Sequence, residues 1–147
     1  MKRLVAAVTP AITILSVLSL PVAAATPPDG DIERTDLAKG TGSAPVVIET
    51  TGPTTLYVQD LVLHPASSSG WHTHPGAEHA VVTGGSVSVR TDQQCAPTVY
   101  LAGQAVFIPA GVPHIVLNES PHDANAVITY TLPADQPVRL DAPAACP

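Results

Sequence analysis

Proline and glycine interrupt this chain so often that almost nothing but short strands fits between them. Sixteen prolines and ten glycines are spread over 147 residues, and proline inside a helix removes a backbone donor and clashes with the preceding turn. Beyond the first 25 residues, no stretch of ten or more has a 3.6-residue apolar period free of such breakers. From Val46 the texture is short apolar runs parted by turn residues, which predicts an all-β domain. The expected strands are Val46 to Thr50, Thr54 to His64, a short piece around His72, His79 to Thr83, Ser86 to Thr91, Thr98 to Leu101, Ala105 to Ile108, His114 to Asn118, Ala126 to Leu132 and Val138 to Leu140. Gly84-Gly85 joins two of them as a two-residue hairpin would, because glycine reaches positive φ freely. In Ser86-Val87-Ser88-Val89 the alternation places the valines in the core and the serines in solvent. With only 3% aromatic residues, the core must be built from Val, Ile, Leu and Ala.

The two ends of the chain read differently from this middle. Lys2 and Arg3 precede a mostly apolar run from Leu4 to Leu20, and Val22-Ala23-Ala24-Ala25 offers small residues for cleavage. Residues 1–25 therefore read as a secretory signal peptide, and the protein is expected to be secreted or otherwise extracytoplasmic. An uncleaved anchor is the competing reading, since the run is about as long as the shortest bilayer-spanning helix; Pro10 and the hydroxyl residues Thr9, Thr13, Ser16 and Ser19 count against it. Residues 26–45 are rich in Pro, Gly and charge without a period and read as a linker or N-terminal arm, which leaves residues 46–147 as the folded domain.

Without Lys2 and Arg3 the chain keeps 4 Lys and Arg against 12 Asp and Glu, a net charge of −8 with the histidines neutral. Such a charge repels phosphate backbones, so nucleic acid and anionic membrane surfaces are excluded as partners. Two cysteines, Cys95 and Cys146, in an exported chain favour a disulfide. It would close a loop of 51 residues and restrict the unfolded chain by about 4 kcal/mol. Cys95 lies in the turn-like segment DQQCAP.

Two stretches carry chemistry. In WHTHPGAEHAVVTGG, from Trp71 to Gly85, His72 and His74 are two apart, so an extended chain presents both rings on one face. Glu78 follows a Pro75-Gly76 turn. GQAVFIPAGVPHIVLN, from Gly103 to Asn118, adds His114 after the bend Pro109-Ala110-Gly111. Taken singly, each histidine would more often be a solvated surface group. Taken together, three imidazoles and one carboxylate suit a divalent first-row metal (Fe, Mn, Cu, Ni or Zn) and leave room for another ligand. His79 should point to the face opposite Glu78, while His64 and His122 sit in breaker-rich segments and read as structural or exposed. Val82, Phe107, Ile108, Val116 and Tyr130 are candidate wall residues.

These stretches resemble the two motifs of the cupin superfamily, commonly written G(X)5HXH(X)3,4E(X)6G and G(X)5PXG(X)2H(X)3N. The second is matched by Gly103, Pro109, Gly111, His114 and Asn118, and the first by His72, His74, Glu78 and Gly85. On this chain's own composition the second motif would arise by chance about 4 times in 100,000 such chains. Ala66 stands where the first glycine is expected, with Gly70 nearby, and this reads as a shifted loop. The resemblance implies a jelly-roll β-barrel (a double-stranded β-helix) over about residues 45–132, a metal held by His72, His74, Glu78 and His114, and Asn118 hydrogen-bonded within the barrel or at its edge. It also implies a small-molecule ligand or substrate, an oxygenase-like reaction in which Glu78 doubles as a proton acceptor, and, by analogy with members whose N-terminal segment crosses to a partner, a homodimer. The alternative is a non-catalytic protein that binds a metal or small ligand. A metal-free epimerase-type member is disfavoured by the complete ligand set, and a DNA-binding regulator by the charge.

Overall fold

The computed structural model describes residues 30–147, so the expected leader lies outside the described residues. Nine strands follow one another: β1 (Thr54–Leu63), β2 (His72–Thr73), β3 (Ala77–Gly84), β4 (Ser86–Thr91), β5 (Gln94–Leu101), β6 (Ala105–Ile108), β7 (His114–Leu117), β8 (Ala124–Pro133) and β9 (Leu140–Asp141). They form a four-stranded sheet in the order β1-β8-β3-β6 and a five-stranded sheet in the order β5-β4-β7-β2-β9. Every ladder between them is antiparallel. The chain changes sheet at nearly every connection, so the all-β fold expected from the breakers takes the jelly-roll form that the resemblance implied. Among the described residues no helix is long and apolar enough to cross a membrane.

The period of two fixes which side chains meet in the middle. Along β8, Ala124, Ala126, Ile128, Tyr130 and Leu132 are buried, while the residues between them are half-buried. Val82, Ala80 and Glu78 on β3, and Val106 and Ile108 on β6, face the same interior. Val87 and Val89 meet them from the other sheet. Each fully buried aliphatic side chain contributes about 1.5–3 kcal/mol relative to exposure, and together they fill the barrel at the end away from the histidines.

Five expectations need correction. Val46 to Thr50 is not a strand, and Val46, Val47 and Ile48 are 48%, 71% and 46% exposed. β-branched residues favour a pleated, half-buried surface, and no neighbouring strand offers one here. Gly84-Gly85 is not a hairpin either: β3 and β4 belong to different sheets, and the two residues carry the chain between them. Gly85 has φ +66°, and a Cβ there would lie 2.5 Å from the Asp123 carbonyl oxygen, so both backbone shape and close approach require glycine.

The tight hairpin lies at Asp92-Gln93, where Thr91 pairs with Gln94. Cys95 and Pro97 therefore belong to β5, with Pro97 inside the bulge between the Val89–Thr98 and Thr91–Gln94 pairs, where a missing N–H is tolerated. Ser88 is not solvated but buried, its hydroxyl donating to Glu119 at 2.6 Å.

The loop after β1 is not shifted. Ala66 itself has φ +59°, the left-handed conformation a glycine would supply at lower cost, so the turn of the first motif keeps its shape with the wrong residue in it.

Candidate metal centre

His72 opens the two-residue β2 and is 5% exposed; His74, just past its end, is 4% exposed. The period of two turns both rings inward. Glu78 on β3 points into the same space at 4%, and His114 begins β7 with no exposure at all. Antiparallel pairing of β2 with β7 sets His72 directly opposite His114. Their ring centroids are 4.2 Å apart, and His74 stands 4.8 Å from His72 and 5.2 Å from His114. Thus all four predicted ligands converge, with one potential donor atom from each within 4.8 Å of the others.

The orientation of the rings is decided by backbone carbonyls. His72 Nδ1 donates to Gly70 O at 2.8 Å, His114 Nδ1 to Val112 O at 3.0 Å, and His74 Nδ1 to Val138 O. A carbonyl oxygen can only accept, so each Nδ1 carries the hydrogen, and in the neutral ring Nε2 is left with a lone pair. His74 Nε2 and His114 Nε2 lie 2.8 Å and 3.4 Å from Glu78 Oε2. All three atoms are buried without a hydrogen-bond partner. Lone pairs on neutral nitrogen and carboxylate oxygen repel at such distances, so a positive centre must stand between them. Metal–ligand bonds to these atoms are about 2.0–2.2 Å, which puts two ligands of one ion at most about 4.4 Å apart. The residues present therefore fit a divalent transition metal with shifts of a few tenths of an ångström.

Electrostatics agree. Burial pushes the His72 pKa down to about 4, against the pull of the Gly70 carbonyl and helped by His114, Arg139 and His74, so the ring is neutral and ready to ligate at physiological pH. Burial pushes the Glu78 carboxyl up, but without a metal a proton on His114 or His74, donated to the carboxylate, supplies the positive centre and holds it at about 2. Tyr130, its ring 4.6 Å from His74, is driven upward by burial and by the Glu78 charge and stays protonated.

The other histidines go elsewhere. His79 faces outward and stacks on Phe107 at 5.1 Å, His64 bonds Asp123 at 2.9 Å, and His122 is exposed. Phe107 is accordingly no wall residue, whereas Val82, Ile108 and Tyr130 are buried in the interior and Val116 packs against it. Asn118 is 1% exposed with its amide fully used: Nδ2 donates to Leu63 O and His122 O, and Oδ1 accepts from the Ser120 amide and hydroxyl. Cys95 and Cys146 are bonded, Sγ to Sγ at 2.06 Å, as an oxidising compartment allows.

Two contributions to the site were not readable as such in the sequence. One is the Val138 carbonyl that orients His74; the other is the pairing of Asp141 with His72 by β9, a strand expected at Val138 to Leu140 without a partner. Both act through backbone atoms that any residue would supply. Beyond Glu78 the interior holds a cavity of only about 20 Å³, lined by side chains such as Ala80, Val82, Val89 and Ile128. A larger groove of about 780 Å³ lies between residues 45–54 and the turn at Pro75 to Ala77, and none of the four ligands lines it.

An antiparallel jelly roll with a buried three-histidine, one-glutamate cluster is a small β-barrel whose clustered side chains could hold a metal ion. Residues 59–130 match the family model described as Cupin domain, and the chain belongs to the cupin superfamily. Solved structures share the fold. The polyketide cyclase RemF from Streptomyces resistomycificus aligns at 19% identity over 60% of this chain and 61% of its own, with a TM-score of 0.53. The DMSP lyase DddQ from Ruegeria pomeroyi aligns at 17% identity over 59% and 43%, also with a TM-score of 0.53. An oxalate oxidase in complex with the substrate analogue glycolate gives 22% identity over 58% and 45%, with a TM-score of 0.51. The chain thus spans less than two thirds of each of these proteins. No curated protein matches the sequence.

Proposed function

We propose that this is an exported, metal-dependent cupin enzyme acting on a small organic molecule, with an oxygenase-like reaction as the leading chemistry. The observation that carries the reading is the set of buried, partnerless atoms His74 Nε2, His114 Nε2 and Glu78 Oε2 converging with His72. A divalent transition metal held by these four residues would supply Lewis acidity and, for iron, manganese or copper, one-electron redox chemistry.

The protein's own part follows from the geometry. The three carbonyl-anchored rings hold their Nε2 atoms in place without rearrangement. Glu78 is ionised and adjacent to the reacting space, so its oxygen can accept a proton from a bound molecule. Aliphatic side chains beyond Glu78 keep water from that side. The enzymes among the structural relatives lend the catalytic reading support, and the Cys95–Cys146 bond supports an extracytoplasmic location. In the alternative, a non-catalytic carrier, the same cluster anchors a metal or ligand without turnover; a redox-inactive metal with no exchangeable position would favour it.

Metal content per chain after native purification, measured by elemental analysis, tests the ligand set. His74→Ala and His114→Ala should each lose most of the metal, and His122→Ala should keep it. Equal loss in all three refutes the assignment. Oxygen uptake by the loaded protein in the presence of small organic acids and alcohols then separates catalysis from carriage.

A further inference from the structure

One cross-strand row of the five-stranded sheet runs Asp141, His72, His114, Thr91, Gln94, each paired with the next. Two of the five are candidate metal ligands. The residue after Gln94 is Cys95, and five residues beyond Asp141 comes Cys146, bonded to it with a Cα separation of 5.5 Å. Cys146 Sγ also lies 3.5 Å from the Thr91 carbonyl oxygen. The C-terminal segment therefore leaves one edge of the sheet and is fastened at the other, closing a ring, part disulfide-linked chain and part hydrogen-bonded ladder, along the row that holds His72 and His114.

The ring has little slack. Four ladder steps of about 4.8 Å make the row about 19 Å wide, and five residues of extended chain reach about 17 Å. Adding the 5.5 Å across the bridge gives a tail that must run nearly straight. The segment that leads into it touches the candidate ligands and their neighbours: the Val138 carbonyl takes the His74 Nδ1 hydrogen, and Leu140 and Asp141 pair with Thr73 and His72, while the first residue of the tail, Ala142, donates its N–H to Trp71 O at 3.0 Å. A two-residue edge strand has too few contacts to hold itself in place.

We infer that residues 138–146 form a positioning strap for the metal ligands, and that the Cys95–Cys146 bond, by holding the strap down, sets how tightly the site retains its metal. The inference rests on the ligand set proposed above and deepens it. It makes the protein a tight metal binder only once its disulfide has formed, and a leaky one in a reducing compartment.

Zinc serves as the probe, with its dissociation constant read by competition against a chromophoric chelator and the fold followed by far-ultraviolet circular dichroism. The Cys95→Ser, Cys146→Ser double variant should keep the β signature and bind zinc about 10- to 100-fold more weakly, the usual consequence of losing support behind a ligand. Ala142→Pro removes the donor to Trp71 with the disulfide intact and should shift the constant in the same direction; it decides the matter if the double variant does not fold. Retention of zinc affinity within threefold of wild type in the folded variants overturns the inference. Absence of zinc binding by the wild type instead overturns the ligand set itself, and with it the role of the strap.

Discussion

An alanine at position 76 would place its methyl carbon 1.9 Å from the Thr131 carbonyl oxygen, 2.7 Å from that carbonyl's carbon and 2.8 Å from the Leu132 Cα. Gly76 has no positive φ, so the need for glycine is one of space: the turn between β2 and β3 lies flat on β8. All three obstacles are backbone atoms and cannot swing aside, so relieving the contact to about 3.0 Å moves the turn by about 1.1 Å or more. The ladder pairs Ala77–Thr131 and Glu78–Tyr130 come next along the chain and would open first. Losing them, at about 1 kcal/mol per hydrogen bond with some packing besides, costs about 2–4 kcal/mol. For a domain of this size that lowers the melting temperature by about 8–16 °C. The same movement draws Glu78 away from three rings whose bonds to a shared metal would be only about 2.0–2.2 Å long, so zinc affinity should fall at least tenfold. Differential scanning calorimetry of the metal-free protein and chelator competition read the two effects separately. Gly52→Ala, with nothing within 4 Å of the new carbon, should stay within about 0.5 kcal/mol of wild type. A Gly76→Ala variant melting within 2 °C of wild type, about 0.5 kcal/mol, would refute the close-approach argument.

Ala66→Gly should act in the opposite sense, because φ +59° strains alanine and not glycine. A gain of about 0.5–1 kcal/mol in urea unfolding is expected, and a loss would show that the turn draws on the methyl group. Acid should weaken the metal-free fold. The His72 pKa falls from 6.5 in the unfolded chain to about 4 in the folded one, and Glu78 from 4.5 to about 2. Between each pair of values the unfolded state binds the extra proton, so stability drops as pH falls through 6.5 toward 4 for His72 and through 4.5 toward 2 for Glu78. The histidine contributes at most about 3 kcal/mol over its window; denaturant midpoints that stay level from pH 7 to pH 4.5 would contradict the burial argument.

The two residue patterns most legible in the sequence were those with a fixed period. His72 and His74, spaced by two, turn together into the barrel, and Glu78 and His79, spaced by one, separate to its two sides. The short apolar runs from Val46 on and the breakers between them were enough to give an all-β fold with most strand positions right to within two residues. What failed was pairing. Val46 to Ile48 has the composition of a strand, but composition does not tell whether a neighbour exists, and Gly84-Gly85 marks a reversal without saying which sheet receives the chain. Ser88 looked solvent-facing because alternation alone cannot show that Glu119 would fold over it. The Val138 carbonyl was unreadable for a simpler reason: a backbone oxygen leaves no trace in the residue that bears it.

The space behind Glu78 has a consequence for any change of selectivity. At about 20 Å³ it admits roughly one water molecule, so a bulkier guest can be accommodated there by trimming lining side chains such as Val82 or Ile108. Each is also a stone in the wall that keeps the two sheets together, and shortening either to alanine costs about 1–4 kcal/mol. Breadth of recognition and thermal endurance are therefore set by the same side chains, and enlarging the chamber spends the margin that keeps it folded.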